Sequence, residues 1–109
     1  MAADISFSCQ ASPQAEAGMA ADICREFRAA LAEKFPGHSF DAETGAPGLT
    51  LTILRANARA LALEATWTAA DGSRNTGAPL STAFFDRNSD EQLRRRFYNT
   101  FLEQNPPPF

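Results

Sequence analysis

The sequence predicts an α+β fold, a two-layer sandwich in which a mainly antiparallel sheet carries two helices on one face. Three observations lead to this class. The stretch from Pro13 to Phe35 has apolar side chains at steps of three and four, the spacing of an amphipathic helix. Later segments alternate apolar and polar residues, as strands with one buried face do. Residues 89–92, Ser-Asp-Glu-Gln, form a capping box that opens a second helix. The predicted order is β-α-β-β-β-α.

Length and composition describe one globular domain, residues 1–109. An apolar fraction of 44% is enough for one core and excludes a disordered chain. The net charge of −3 argues against a nucleic-acid partner, because phosphate binding depends on concentrated lysine and arginine. No apolar run approaches the roughly 18 residues of a membrane span, so we expect no transmembrane segment.

The first strand is predicted over about residues 4–10 and the first helix over about 13–35. Ile5, Phe7 and Cys9 alternate with polar residues in the strand. Ser12 followed by Pro13 has the character of a helix N-cap and first helical residue. Pro36 and Gly37 end the helix.

Two cysteines raise the question of a disulfide. With a helix that begins at Pro13, Cys24 lies eleven residues along it, about 16 Å from its start. If strand and helix are antiparallel and joined by a short turn, Cys24 lies near the beginning of the strand, away from Cys9. Bridged cysteines need Cα atoms within about 7 Å. We therefore predict two buried thiols without a bridge.

Residues 37–48 are rich in glycine and predict a loop, with a short extended piece around 39–41 as an alternative. His38, Asp41 and Glu43 make it the candidate ligand loop. A lone histidine in such a loop is far more often an ordinary polar residue than a metal ligand or a base. No catalytic or phosphate-binding motif is present, so we predict no catalytic residues, no metal site and no cofactor.

The remaining strands are predicted over about 49–55, 59–69 and 79–85, and the second helix over about 90–104. Threonines and the Asp71-Gly72 turn favour strands in the middle stretch, although its alanine, leucine and glutamate residues are also helix formers. Trp67 is expected in the core. We expect the first strand to pair in parallel with one strand of this meander, through the helical crossover.

Two features could support an interaction with a partner. Arg94, Arg95 and Arg96 form the one concentrated charge, and Phe85 follows another phenylalanine in a strand, so one of the two leaves the core face. For the arginines, a solvated helix face is the stronger interpretation. Asp90 and Glu91 precede Arg94 and Arg95 by four residues, the spacing of helical ion pairs.

Function is predicted only as a class. The sequence accounts for helices, strands and a core but contains no catalytic motif, and this combination predicts a non-catalytic binding or assembly module. Such a module would use a sheet edge or the open sheet face to bind a protein partner or a second copy of the chain. The alternative is a small ligand-binding protein or enzyme that uses the 37–48 loop. Domains of this order and size resemble small accessory domains of bacterial envelope proteins, a likeness of fold alone.

The start of the chain bears on its location. Met1-Ala2-Ala3-Asp4 leads directly into strand-like sequence, as in a mature exported domain whose leader, ending in small residues, has been replaced by a start methionine. If the start methionine replaces a cleaved signal peptide, we expect a periplasmic protein; otherwise we expect a cytoplasmic one.

Overall fold

A computed structural model of the protein describes residues 3–42, 47–57, 59–83 and 91–105. The elements are β1 (Ala3–Ala11), α1 (Ala17–Lys34), β2 (His38–Ala42), β3 (Gly48–Ala56), β4 (Ala60–Thr68), β5 (Arg74–Thr76), β6 (Leu80–Ala83) and α2 (Glu91–Gln104). The predicted α+β class is confirmed. The six strands form one mixed sheet, and both helices cover its apolar face.

The sheet has the order β2-β1-β3-β4-β5, and β6 also pairs with β4. β1 is parallel to β2 and to β3, whereas β4 is antiparallel to β3, β5 and β6. The register of β1 with β3 runs from Ser6 opposite Gly48 to Ala11 opposite Ile53. The expected parallel pairing of the first strand with a meander strand is therefore confirmed.

Two short strands are absent from the predicted order. β2 begins at His38 and corresponds to the short extended piece around 39–41 that the sequence offered as the alternative to a loop. β5 contains Arg74, Asn75 and Thr76, all exposed. A strand with no buried face has no apolar alternation, and for this reason the pattern could not reveal β5.

The first helix begins four residues later than predicted. Ser12 does not cap it. Its hydroxyl donates to the Leu54 carbonyl at 2.6 Å, and its N–H donates to the Ile53 carbonyl at 2.9 Å. Residues 12–16 continue along β3, ending with the Glu16 N–H donating to Ala56 at 3.0 Å. Long-range backbone pairing thus replaces the local cap, and α1 starts at Ala17.

The core lies between the sheet and the helices. Phe27 of α1 is at its centre and is fully buried. Its ring stacks on Phe7 of β1 at 6.2 Å and meets the edges of Tyr98 and Phe101 of α2 at 5.6 and 5.8 Å. Trp67 is 4% exposed, so its predicted place in the core is confirmed. One aromatic cluster therefore joins the sheet to both helices.

The other face of the sheet is open and mostly polar along the described strands. Its side chains alternate with the buried ones and carry hydroxyl, amide or carboxylate groups: Ser6, Ser8, Gln10, Thr50, Thr52, Glu64, Thr66 and Thr68. Neighbouring hydroxyls bond across strands, Ser8 to Thr50 at 3.1 Å and Thr66 to Thr76 at 2.9 Å. The part of the face that these polar side chains form offers little apolar area to a partner. Leu54, Ala60 and Ala62 line a separate depression of about 570 Å³ together with residues 81–83 of β6.

Candidate functional site

The candidate site is an edge of the sheet that β2 covers only in part. β2 pairs with β1 as far as Ser6, opposite Ala42, but β1 continues to Ala11. The Ser6 N–H donates to the Pro47 carbonyl at 3.0 Å, toward β3. Peptide groups along a strand point alternately to opposite sides, so those of Cys9 and Ala11 point away from β3. Among the described residues, no strand pairs with Phe7–Ala11 on that side, which we call the β1 edge.

A disulfide between Cys9 and Cys24 joins β1 to α1 beside this edge. The predicted pair of unbridged thiols is therefore wrong. The error follows from the helix start: with α1 beginning at Ala17, Cys24 is seven residues along it, about 10 Å rather than 16 Å. The two Cα atoms are 6.0 Å apart, within the range of a bridge.

Two arginines of α1 line the space between this helix and the strands. One depression of about 290 Å³ is bordered by Phe7, the disulfide, Arg25 and Arg28. A second, of about 420 Å³, is bordered by the same arginines and by residues 38–40 of β2. Because they share both arginines, we treat them as one feature, the arginine groove.

The charges of the groove are largely accessible. The Arg25 side chain is 74% exposed and pairs with Asp22 at 3.1 Å. The Arg28 guanidinium carbon lies 5.6 Å from the centre of the Phe7 ring, a cation–π contact that leaves its hydrogen-bond donors available. The described side chains that line the groove thus carry positive charge, although the chain as a whole carries −3.

The residues of the predicted ligand loop are not brought together in the described part of the chain. His38 is partly buried in β2 and lines the arginine groove. Asp41 belongs to the same strand, but its side chain lies outside the described residues, as does all of Glu43. Among the described side chains, no three histidine, cysteine, aspartate or glutamate residues are grouped so that they could hold a metal ion.

Arg94 does not belong to a solvated helix face. Its Nε and Nη2 donate to the two carboxylate oxygens of Glu26 on α1, at 2.8 and 2.7 Å. The side chains of Arg94 and Glu26 are only 11% and 7% exposed. The Tyr98 hydroxyl donates to the same carboxylate at 2.7 Å. The helical spacing to Asp90 concealed this contact, because Glu26 is 68 residues away in the sequence.

The pKa values of this cluster agree with a structural role. Burial raises the pKa of Glu26, but the hydrogen bonds from Arg94 and Tyr98 and the Arg94 charge outweigh burial and lower it. Burial, followed by the hydrogen bond to Glu26 and its charge, raises the pKa of Tyr98. All three groups keep their usual charge near neutral pH and fasten α2 to α1.

Of the other residues predicted to contact a partner, Arg95 and Arg96 are not part of the arginine groove. Arg95 is exposed on α2. Arg96 is exposed and lines a cleft of about 430 Å³ between α2 and β6, together with Leu80 and Phe97. Phe85 lies outside the described residues.

Arg25 and Arg28 were missed in the sequence because they lie on the charged face of an amphipathic helix, where arginine needs no explanation. The two arginines gain interest only from their position beside the β1 edge, and that edge arises from pairing between segments that are distant in the sequence.

Within the described ranges, no helix is long and apolar enough to cross a membrane. The chain matches no family model, no curated protein and no solved structure.

Proposed function

We propose that this protein is a non-catalytic binding module of an oxidising compartment, and that it accepts an extended segment of a partner protein along the β1 edge. The observation that carries the proposal is the β1 edge itself. Unpaired peptide groups at a sheet edge are a template for one more strand. Proteins that bind partners by strand addition use such an edge for affinity and the adjoining pockets for specificity.

The open face of the sheet is the weaker candidate for this role. Its ladders of serine and threonine are polar and partly satisfied by one another, as in Ser8 with Thr50. A docking face would need a larger apolar area than these serine and threonine ladders present. The β1 edge requires no apolar area, because main-chain hydrogen bonds supply the attraction.

The disulfide supports an exported location. Structural disulfides persist in the periplasm and outside cells, whereas the cytosol keeps thiols reduced. A bridge between Cys9 and Cys24 therefore fits a periplasmic protein. Fractionation of the native host, followed by alkylation and intact mass, tests the location. We expect a periplasmic protein with both thiols blocked, and a cytosolic protein with two reactive thiols would overturn it.

Strand addition can be tested with the oxidised, ¹⁵N-labelled chain and a heptapeptide of alternating valine and glutamine, followed by NMR. We expect amide shifts concentrated at Phe7–Ala11 and slower hydrogen exchange of the Cys9 and Ala11 amides. In the chain alone, these two amides should exchange faster than those of Ser8 and Gln10, which face β3.

An edge-blocking variant supplies the control. Ala11→Pro removes one N–H from the β1 edge and should weaken peptide binding. Gln10→Ala alters an exposed side chain and leaves the edge intact, so it should bind as the natural chain does. Peptide shifts spread over the open face, or equal exchange of all four amides, would contradict the proposal.

A further inference from the structure

We infer that the segment accepted at the β1 edge is acidic, with carboxylates at alternate positions. This rests on the proposed function, and it adds the chemistry of the partner. A strand added beside Phe7–Ala11 extends the sheet beneath the flank of α1 that carries Arg25 and Arg28. Every second side chain of the added strand points toward that flank.

The spacing of the two arginines is close to that of two carboxylates on alternate residues of an added strand. Arg25 and Arg28 are one helical turn apart, about 4.5 Å along the α1 axis. Side chains on one side of a strand are about 6.6 Å apart. The long, flexible arginine side chains cover the difference, and a guanidinium binds a carboxylate through two parallel hydrogen bonds.

The charges in the groove favour this partner over a second copy of the chain. Two copies joined edge to edge would bring their arginine pairs toward one another, and like charges at close range are repelled. Asp22 neutralises part of the Arg25 charge. Arg28, whose guanidinium lies over the Phe7 ring, has its charge available to a partner. His38 adds a polar side chain at the β2 end of the groove.

Three heptapeptides distinguish this inference from the proposed function. They share valine at alternate positions and carry glutamate, glutamine or lysine between them. We expect NMR titrations of the oxidised chain to give the glutamate peptide about three- to tenfold higher affinity than the glutamine peptide, from two solvent-exposed ion pairs. The lysine peptide should bind least. The preference should shrink in 0.5 M salt, where exposed charges are screened.

Matched variants locate the preference. Arg25→Gln with Arg28→Gln should bind the glutamate and glutamine peptides equally, with the shifts still at Phe7–Ala11. Arg74→Gln with Arg95→Gln removes the same charge at exposed sites away from the groove and should keep the preference. Equal affinity of the three peptides at the β1 edge would overturn the inference alone. No shift at this edge with any peptide would overturn the proposed function.

Discussion

At the scale of single residues, Glu26 is notable because it is a charged side chain that is almost completely buried. Its side chain is 7% exposed, and its carboxylate accepts hydrogen bonds from both Arg94 and Tyr98. Such a group is stable only while both partners remain, because removing one member leaves the other charge buried without compensation. The cluster therefore holds α2 in one position on α1.

Glu26→Gln should destabilise the fold by about 3 kcal/mol, the cost of leaving Arg94 buried without its counter-charge. Because folding lowers the pKa of Glu26, its contribution is present above the unfolded pKa of about 4.3 and is lost as the pH falls through the folded pKa. The natural chain should therefore lose this stability in acid, whereas the variant has none of it to lose.

Urea unfolding at pH 7 and at pH 3 measures both effects. Glu33→Gln, on the exposed face of the same helix, is the matched control and should change little. Equal free energies of unfolding for the two variants at pH 7 would contradict the role of the cluster.

At the scale of elements, the disulfide between Cys9 and Cys24 links β1 covalently to α1. The bridge closes a loop between positions 15 residues apart. It also borders the arginine groove, so that it fixes the wall of the proposed site against the β1 edge.

Replacing both cysteines by alanine should lower the free energy of unfolding by about 3 kcal/mol, through the greater entropy of the open unfolded chain. Denaturant unfolding of the oxidised natural chain, the reduced natural chain and the double variant measures the change. The reduced chain keeps its side chains, so agreement between it and the variant assigns the loss to the bridge. An unchanged midpoint in both would show that the bridge does not constrain the unfolded chain.

The start of α1 shows where prediction from the sequence ends. The apolar spacing of residues 20–31 was sufficient for the helix and its buried face, and Pro36 with Gly37 was sufficient for its end near Lys34. Its beginning depended on Ser12, whose neighbours favoured a cap but whose actual partners are Ile53 and Leu54. A local pattern cannot reveal such partners, and the four-residue difference was enough to move Cys24 beside Cys9. The same limit concealed the β1 edge and the partner of Arg94.

At the scale of the whole molecule, Phe27 holds the two layers together. It contacts an aromatic ring of β1 and two of α2, so the sheet and both helices meet at one side chain. The layer arrangement itself was predictable, since an amphipathic helix and an alternating sheet each need the other's apolar surface. The identity of the central residue was not, because several residues of α1 share its spacing.

Phe27→Ala should cost about 3 to 5 kcal/mol, because it removes the contacts of a fully buried ring and leaves a cavity. Phe27→Leu fills most of that space and should cost less. Thermal and urea unfolding measure both. A loss for alanine no larger than that for leucine would mean that the layers are held together elsewhere.

The position of the disulfide, before β3 in the sequence, also bears on the order of folding. Both cysteines precede β3 and β4 in the sequence, so under oxidising conditions the bond can form while these strands are still unfolded. Parallel pairing between distant segments is intrinsically slow, and Cys9 pairs with Leu51 across 42 positions (51 − 9). Through the bridge, the path from Cys24 to Leu51 is 27 positions (51 − 24). We therefore expect oxidation to join β1 and α1 early, as the surface on which the later strands assemble.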